Sequence, residues 1–545
     1  MVAKTFAGLE DVLRDELIAI GAENVELGNR MVSFEGDNAT LYKANLCCRT
    51  ALRILKPIVM FSAESTDQLY DYLRDLEWEQ FMDASSTFSV DSTVFGDDFT
   101  HSKFVTYRVK DAIVDHFMDL GGTRPSIRLE GADLKLNVHI AGDRVTVSLD
   151  SSGEPLFKRG YRVEQTEAPI NEVLAAGIIL KTGWRGDSDL LDPMCGSGTF
   201  LIEAALIAAN INPGIYRESF AFEKWKDFDP DLFEEIYNDD SEEREFNYKI
   251  FGGDIDPEAI AVARKNIKSA RVEEMIELSC QPLTKWKADT AEGVIVTNPP
   301  YGERLRPANL EGLYKDIGTT LKNNFAGWHA WIIGYHNDQM KEIGLKPSVK
   351  IPLFNGNLEC TLREYVMFDG AYSQFRADGG SVESEASKRK KMEGPRKVKH
   401  ITDDDWKKES RKFNRGAGMK DNDDRGRKKG FSDRKRDDRS GSGRREDRSG
   451  SGRREDRPEW VRREDRPEWG RRDDRSGSGR RDDRPGSGRR NDRPAAGRKE
   501  TGKDKRFGNN SNKTYDPSNS KGPKLPESME RVINPVHIRK RRNKD

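Results

Sequence analysis

From Ser151 onward the chain alternates short apolar runs with helical patterns, and this alternation is the strongest constraint on its fold. The pattern predicts helices at residues 168–182, 199–209, 259–269 and 313–324. Between them come strand-like runs that end at Leu190-Leu191 or cover 248–252, 293–297 and 330–334. Strands joined through helices of this length pair in parallel, so the segment is expected to form a doubly wound α/β sheet. Two further pieces, 358–362 and 365–368, stand too close together for a helical crossover and predict an antiparallel hairpin at the sheet edge.

The first 150 residues follow a different rhythm. A short strand at Thr5-Phe6-Ala7 is expected to lead into a helix with Leu9, Val12, Leu13, Leu17 and Ile20 on one face and Gly21 at its end. Strands at 25–27 and 31–34 and a helix through Leu41 complete a small α+β unit, expected to span residues 1–45. A second mixed unit, 46–151, is expected to have strands at 53–61, 87–92, 135–140 and 144–149 and helices at 68–73 and 104–120. The last two strands form a credible hairpin around Ala141-Gly142-Asp143-Arg144. His139 alternates with apolar residues there, which reads as a structural role.

Beyond about Phe375 apolar residues become scarce. Asp438, Asp447, Asp456, Asp465, Asp474, Asp483 and Asp492 recur every nine residues, each before an Arg, in a background of Arg, Gly and Ser. Such composition cannot offset the entropy of ordering, so residues 373–545 are expected to be a disordered basic tail. The overall charge of −1 hides a division. Residues 376–545 carry 54 Lys and Arg against 33 Asp and Glu, whereas residues 1–375 carry 39 against 61. A basic half points to a nucleic-acid partner, although a tail that only keeps the chain in solution accounts for the same charges. If the tail attaches to RNA, its arginines together with Trp460 and Trp469 would supply phosphate contacts and stacking.

Five cysteines without ligand spacing argue for a reducing compartment, and a cytoplasmic location is expected, with no metal. The first ten residues lack a basic and then apolar leader, and no run of 18 apolar residues occurs, so no membrane association is expected.

Three strand-end motifs carry the chemistry. Asp192-Pro193-Met194-Cys195-Gly196-Ser197-Gly198-Thr199 lies between a strand and a helix, where glycines let a ligand approach the strand ends. Leu201 stands where a dinucleotide fingerprint needs a third glycine, which favours a ligand without a pyrophosphate. The second strand runs into Gly253-Asp254-Ile255-Asp256-Pro257, and a carboxylate at such a tip can bind both hydroxyls of a ribose. Asp254 is the preferred candidate, with Asp256 as a second cofactor-binding residue or a helix cap. The separation from Gly198 implies an insertion at about 212–247, whose Phe220, Phe222, Trp225 and Phe228 either wall the site or pack on it.

The third motif is decisive. An apolar strand, Val294-Ile295-Val296-Thr297, ends in Asn298-Pro299-Pro300-Tyr301. The prolines fix the chain direction and leave the Asn298 side chain and the Pro299 carbonyl as two converging acceptors, suited to an exocyclic NH2 group. Tyr301 can stack on the base that carries it.

Together, Asp192 to Thr199 and Asn298 to Tyr301 resemble the class I S-adenosylmethionine methyltransferases that act on amino groups. The flanking Arg159-Gly160-Tyr161-Arg162, Glu167-Ala168-Pro169-Ile170, Gly302-Glu303-Arg304 and Leu353-Phe354-Asn355-Gly356-Asn357-Leu358-Glu359-Cys360 narrow the resemblance to the RlmL-like branch, THUMP-domain 23S ribosomal RNA guanine-N2 methyltransferases. It covers about residues 1–370. It implies a Rossmann-like α/β methyltransferase domain at 152–372, preceded by a ferredoxin-like and THUMP RNA-binding region and followed by the tail. It further implies S-adenosyl-L-methionine as cofactor. Asp192, Pro193, Cys195, Gly196, Ser197, Gly198 and Thr199 would hold the methionine part, Asp254 the ribose, and Gln281, where many relatives have Asp, the adenine. Asn298, Pro299, Pro300 and Tyr301 would form the catalytic signature, with Asn298 also a cofactor-binding residue. Ribosomal RNA would be the partner. Some relatives continue into a guanine-N7 methyltransferase domain; the tail stands in that place, so a second activity is not expected. A transfer-RNA guanine-N2 enzyme, a DNA adenine-N6 enzyme and a non-catalytic RNA-binding assembly factor remain as other readings.

Overall fold

The computed structural model describes residues 1–301, 309–335, 338–370, 372–377, 379, 381–382 and 403–416. Gly302-Glu303-Arg304, the nine-residue repeats, and Trp460 and Trp469 lie outside the described residues.

The front of the chain runs β1 (Val2–Lys4), α1 (Glu10–Ala19), β2 (Glu23–Leu27), β3 (Met31–Glu35), α2 (Asn38–Cys47), β4 (Arg53–Ser62), α3 (Thr66–Arg74), β5 (Thr87–Phe95), α4 (Ser102–Asp119), β6 (Ser126–Ile127), β7 (Leu134–Ala141) and β8 (Arg144–Asp150). The strands make one sheet in the order β2-β3-β1-β4-β8-β7-β5-β6. The two units read from the pattern therefore share a sheet, because the ten-residue β4 pairs with β1 through residues 53–55 and with β8 through 55–62. β1 lies earlier than expected. Thr5 leaves the ladder to donate its hydroxyl to the Thr50 carbonyl at 2.7 Å, and the chain then turns at Gly8, whose φ is +95°.

The second half runs α5 (Glu172–Thr182), β9 (Asp189–Asp192), α6 (Thr199–Ala208), α7 (Pro230–Asn238), β10 (Ile250–Asp254), α8 (Pro257–Ser269), β11 (Ile276–Cys280), β12 (Gly293–Thr297), α9 (Leu310–Asn324), β13 (His329–Tyr335), β14 (Val349–Asn355), β15 (Leu358–Val366) and α10 (Tyr372–Ala377). The sheet order is β11-β10-β9-β12-β13-β15-β14, with β15 antiparallel to both of its neighbours and the remaining pairs parallel. The chain moves outward from β9 to β11 and returns to β12 on the other side of β9. The switch point between β9 and β12 is where such sheets bind ligands.

The edge hairpin is formed differently from the expectation. Residues 358–366 are a single strand, and its partner is the earlier β14. Arg363 and Glu364 look like a break in an apolar run, yet both are buried. Arg363 donates to the Met340 carbonyl, and Glu364 accepts from the Ser348 hydroxyl and pairs with His329 Nδ1 at 2.9 Å. Pro352 disguises β14 as a loop; on an edge strand its missing N–H costs no pairing.

The insertion after α6 packs on the front of the molecule. Phe220, Phe222, Trp225 and Phe233 join the core beneath the first sheet, with Phe222 stacked on Tyr42 at 4.6 Å. Two described elements fall in the segment expected to form the tail: all but the first residue of α10, and α11 (Asp403–Gly416), which packs on β4. Its apolar content is too low to stand out by composition. Trp406, Ser410 and Asn414 nevertheless recur at helical spacing and are all buried. Among the described residues no helix is long and apolar enough to cross a membrane.

Candidate active site

The glycine loop joins β9 to α6 at the switch point. Gly196 and Gly198 have φ of +51° and +81°, in the left-handed region, and a Cβ on Gly198 would come within 3.2 Å of Ala263 on α8. The loop is held from several directions. Cys195 N–H donates to the Gly253 carbonyl at 2.7 Å, and Gly196 N–H donates to Asp254 Oδ2 at 3.0 Å. The tip of β10 and the loop are thus one rigid piece.

Asp254 uses its other oxygen, Oδ1, to accept from Asp256 N–H at 3.0 Å. Each carboxylate oxygen keeps a second lone pair, so a hydroxyl pair can still bind. Asp256 is exposed, and its side chain caps α8 by accepting from Glu258 N–H at 2.9 Å. That engagement gives the helix-cap reading of Asp256 its support. Gln281 follows β11, a strand not anticipated from its five-residue alternation, and donates its own N–H to the Asp254 carbonyl at 3.0 Å.

Asp192, at the end of β9, is 1% exposed and accepts from the Thr297 hydroxyl at 2.8 Å and from Met194 N–H at 3.2 Å. Burial raises its pKa to about 7; the two hydrogen bonds oppose the shift and the nearby Asp254 charge adds to it. The Asp192–Thr297 bond joins the ends of the two strands that flank the switch point, and so brings the glycine loop beside Asn298.

Asn298 Oδ1 is buried and has no hydrogen-bond partner among the described residues. An acceptor taken out of water without a partner is costly, so it marks a place where a donor is meant to arrive. Pro299 is buried beside it. The Pro300 carbonyl accepts from the Tyr314 hydroxyl at 3.4 Å. Tyr301 is anchored through its hydroxyl, which accepts from Asn355 Nδ2 at 2.8 Å and from Cys360 Sγ at 3.8 Å. Burial pushes the Tyr301 phenol well above its ordinary pKa, so it stays neutral. The structure therefore brings Asp192, Pro193, Cys195, Gly196, Ser197, Gly198, Thr199, Asp254, Gln281 and the Asn298 to Tyr301 signature to the ends of four neighbouring strands.

Sequence reasoning missed the residues that hold the loop from behind. The Arg162 guanidinium donates to Glu172 Oε1 at 2.6 Å, Thr199 Oγ1 at 2.9 Å, Ser197 Oγ at 3.1 Å and the Ile170 carbonyl at 3.1 Å. Asn266 on α8 donates to the Ser197 and Glu164 carbonyls and accepts the N–H groups of Val163 and Glu164. Arg162 lay in a flanking motif, but Asn266 sits in an ordinary helical pattern with no local signal. Among the described residues no group of three or more His, Cys, Asp or Glu could hold a metal ion.

Comparisons with known proteins agree with this arrangement. Family profiles match a RlmL ferredoxin-like domain at residues 1–55, a THUMP domain at 63–150 and an RMKL-like methyltransferase domain at 159–364. The chain is 40% identical over 382 residues to the ribosomal RNA large subunit methyltransferase K/L of Syntrophotalea carbinolica, covering 68% of this chain and 53% of that protein. It is 36% identical over 364 residues to a putative RNA methyltransferase of Synechocystis sp., covering 66% of this chain and 95% of that protein. The chain thus spans about half the length of the K/L proteins it matches and nearly all of the Synechocystis one. Among solved structures, a possible methylase from Clostridium difficile 630 superposes with a TM-score of 0.62 at 33% identity, covering 68% of this chain and 98% of the other. A putative methyltransferase complexed with SAH gives 0.61 at 32% identity with the same coverage.

Proposed function

The chain belongs to the RlmL/RlmK family of THUMP-domain methyltransferases, and from that membership we propose that it methylates N2 of a guanine in 23S ribosomal RNA. The observation that carries the reading is the buried, unpartnered Asn298 Oδ1 beside the glycine loop, an acceptor waiting for an N–H donor. S-adenosylmethionine is the cofactor, and when bound it supplies a sulfonium methyl that is already electrophilic. The residues present fit it: Asp254 offers a carboxylate to the ribose, Gln281 an amide to the adenine, and the 192–199 loop its backbone to the methionine part.

The protein's own part is alignment. Asn298 Oδ1 and the Pro299 carbonyl accept the two N–H bonds of the guanine amino group, which orients the nitrogen lone pair and stabilises the charge that develops on it. Tyr301, fixed by Asn355, presents its ring to the base. The ferredoxin-like and THUMP domains support RNA binding in general, and RNA of this kind is recognised by shape and backbone. We place the reaction in the cytoplasm, in keeping with free thiols at Cys47, Cys48, Cys195, Cys280 and Cys360.

The test is mass-spectrometric mapping of methylated nucleosides in ribosomal RNA, transfer RNA and DNA from cells lacking the gene. Loss of one N2-methylguanosine from 23S ribosomal RNA, restored by the wild-type gene but not by Asn298→Ala, is the expected result. Loss confined to transfer RNA, or of N6-methyladenine from DNA, would replace this reading with one of its rivals.

A further inference from the structure

β14 stands last in the second sheet, with β15 its one neighbouring strand among the described residues, and this hairpin holds Tyr301. Leu353, Asn355 and Cys360 share one face of it, because Leu353 pairs with Cys360 and Asn355 lies two residues further along the same strand. Asn355 and Cys360 are the two donors to the Tyr301 hydroxyl. A hairpin at a sheet edge is held by one strand alone, so its tip can swing unless something outside the sheet grips it.

The ferredoxin-like domain grips it on both faces. On the Leu353 face the Gly8 corner comes so close that a Cβ there would stand 2.8 Å from Leu353 Cδ2 and 2.9 Å from the Pro352 carbonyl oxygen. The next residue, Leu9, is fully buried in the methyltransferase core, where a Cβ on Gly177 of α5 would come within 2.5 Å of its Cδ1. On the opposite face the Arg30 guanidinium lies 5.3 Å from the centre of the Phe354 ring. One carboxylate ties the two grips together. Glu10 is buried; its Oε2 accepts from Gly8 N–H at 2.8 Å and its Oε1 from Arg30 N–H at 3.2 Å. Arg30 has a φ of +57°, a conformation that a residue with a side chain keeps only where its surroundings impose it, and its carbonyl accepts Thr5 N–H at 2.9 Å.

We propose that Glu10 is a positioning residue for the methyl transfer: through the Gly8 corner and Arg30 it makes the ferredoxin-like domain the brace of the hairpin that fixes Tyr301. A domain outside the methyltransferase fold thereby sets where the tyrosine ring meets the target base. The proposal rests on Tyr301 presenting its ring to that base. Glu10 acts through Leu353, Phe354 and Asn355, not by contact with the reacting atoms. A tilt of the hairpin moves the phenol and its ring together, and small displacements of a positioning group slow transfer without removing any group that binds the cofactor.

The experiment uses the full chain carrying Glu10→Gln or Arg30→Ala, each alone and combined with Asn355→Ala. Single-turnover methylation of an unmodified transcript of bacterial 23S ribosomal RNA, titration of that transcript, calorimetry with S-adenosylhomocysteine, the thermal melt and hydrogen exchange of residues 353–360 are measured for each. Glutamine keeps one acceptor where two N–H groups donate, and Arg30 is exposed, so the second variant keeps its fold whatever the first does. The expected transfer rate is about tenfold or more lower for Glu10→Gln, and about 2- to 5-fold lower for Arg30→Ala, the worth of an exposed contact between a cation and a ring. Affinities for RNA and for S-adenosylhomocysteine should match wild type, exchange in residues 353–360 should be faster, and neither change should slow the Asn355→Ala chain further. Losses that multiply with Asn355→Ala, a loss carried by RNA affinity alone, or unchanged exchange would overturn the proposal. A wild-type chain that methylates no guanine in the transcript would overturn the substrate reading instead, and exchange in residues 353–360 would then decide whether Glu10 braces the hairpin.

Discussion

Asn355 Nδ2 donates to the Tyr301 hydroxyl at 2.8 Å, tying the aromatic ring of the Asn298 to Tyr301 turn to an edge hairpin 54 residues further along the chain. The contact gives the Leu353 to Cys360 segment a purpose: β14 and β15 supply both donors, Asn355 and Cys360, that hold the phenol. Asn355→Ala is therefore expected to lower turnover by about 10- to 100-fold, since small misplacements of a positioning group cost this much. Cofactor affinity should stay as in wild type. Tyr301→Phe removes the same bond from its other end, so the double variant should be no slower than the worse single variant. Single-turnover rates across the cycle check this, and fully additive losses would contradict the coupling.

Asn298 and Asp254 should fail in different ways. Asn298→Ala removes the buried acceptor proposed to meet the amino group and should reduce turnover by about 10²- to 10³-fold, the range for deleting one preorganised electrostatic contact. Its cofactor affinity should fall far less than its turnover. Asp254→Ala removes a charged acceptor that also holds Gly196 N–H and Asp256 N–H, so cofactor affinity should fall by roughly 10- to 100-fold. Calorimetry with S-adenosylhomocysteine separates the two.

The buried Asp192 makes stability depend on pH. Burial raises its folded pKa to about 7 from an ordinary 3.8, so between those values the native state holds a proton that the unfolded chain has released. This group's contribution to stability is fully present below about pH 4 and is lost as pH rises to about 7. Asp192→Asn keeps acceptors for Thr297 and Met194 but cannot titrate. The stability difference between wild type and variant, measured by urea unfolding at pH 5 and pH 8, should favour wild type more at pH 5. Equal differences at both values would refute the assignment.

Glu203 on α6 is fully buried and takes a hydrogen bond from the Tyr161 hydroxyl at 2.8 Å beside the Arg159 guanidinium at 3.4 Å; Arg159 in turn donates to the Arg49 carbonyl of the front domain. Glu203→Ala would leave Arg159 buried without its counter-charge and should cost about 3–5 kcal/mol. Replacing both, Arg159→Met with Glu203→Leu, should cost less than the single change. Urea titrations of the three chains decide it.

Much of the site was legible in the sequence because each part of it is local. A glycine loop, a carboxylate at a strand tip and an Asn-Pro-Pro-Tyr turn are written in consecutive residues, and the alternation of strands and helices says that all three stand at the same end of one parallel sheet. The same locality explains what was missed. Asn266 and Asn355 act on loops 69 and 54 residues away, through side chains whose own surroundings look like any helix or edge strand. β14 and the full length of β15 were hidden by Pro352, Arg363 and Glu364, since a pattern of apolar residues cannot show that a buried charge will find its partner.

By itself, then, the sequence determined the chemistry of the signature and the kind of sheet that carries it, for periodicity and turn residues act over a few positions. Only the tertiary structure decided that the insertion braces the front domain instead of walling the site, that β4 fuses two expected units into one sheet, and that α11 returns to cover that strand's open edge. Those outcomes depend on which buried surfaces and unpaired backbone groups meet across the fold. The Asn298 to Tyr301 turn bears the mark of both: its residues name the chemistry, and the Asp192–Thr297 and Tyr301–Asn355 bonds put it in place.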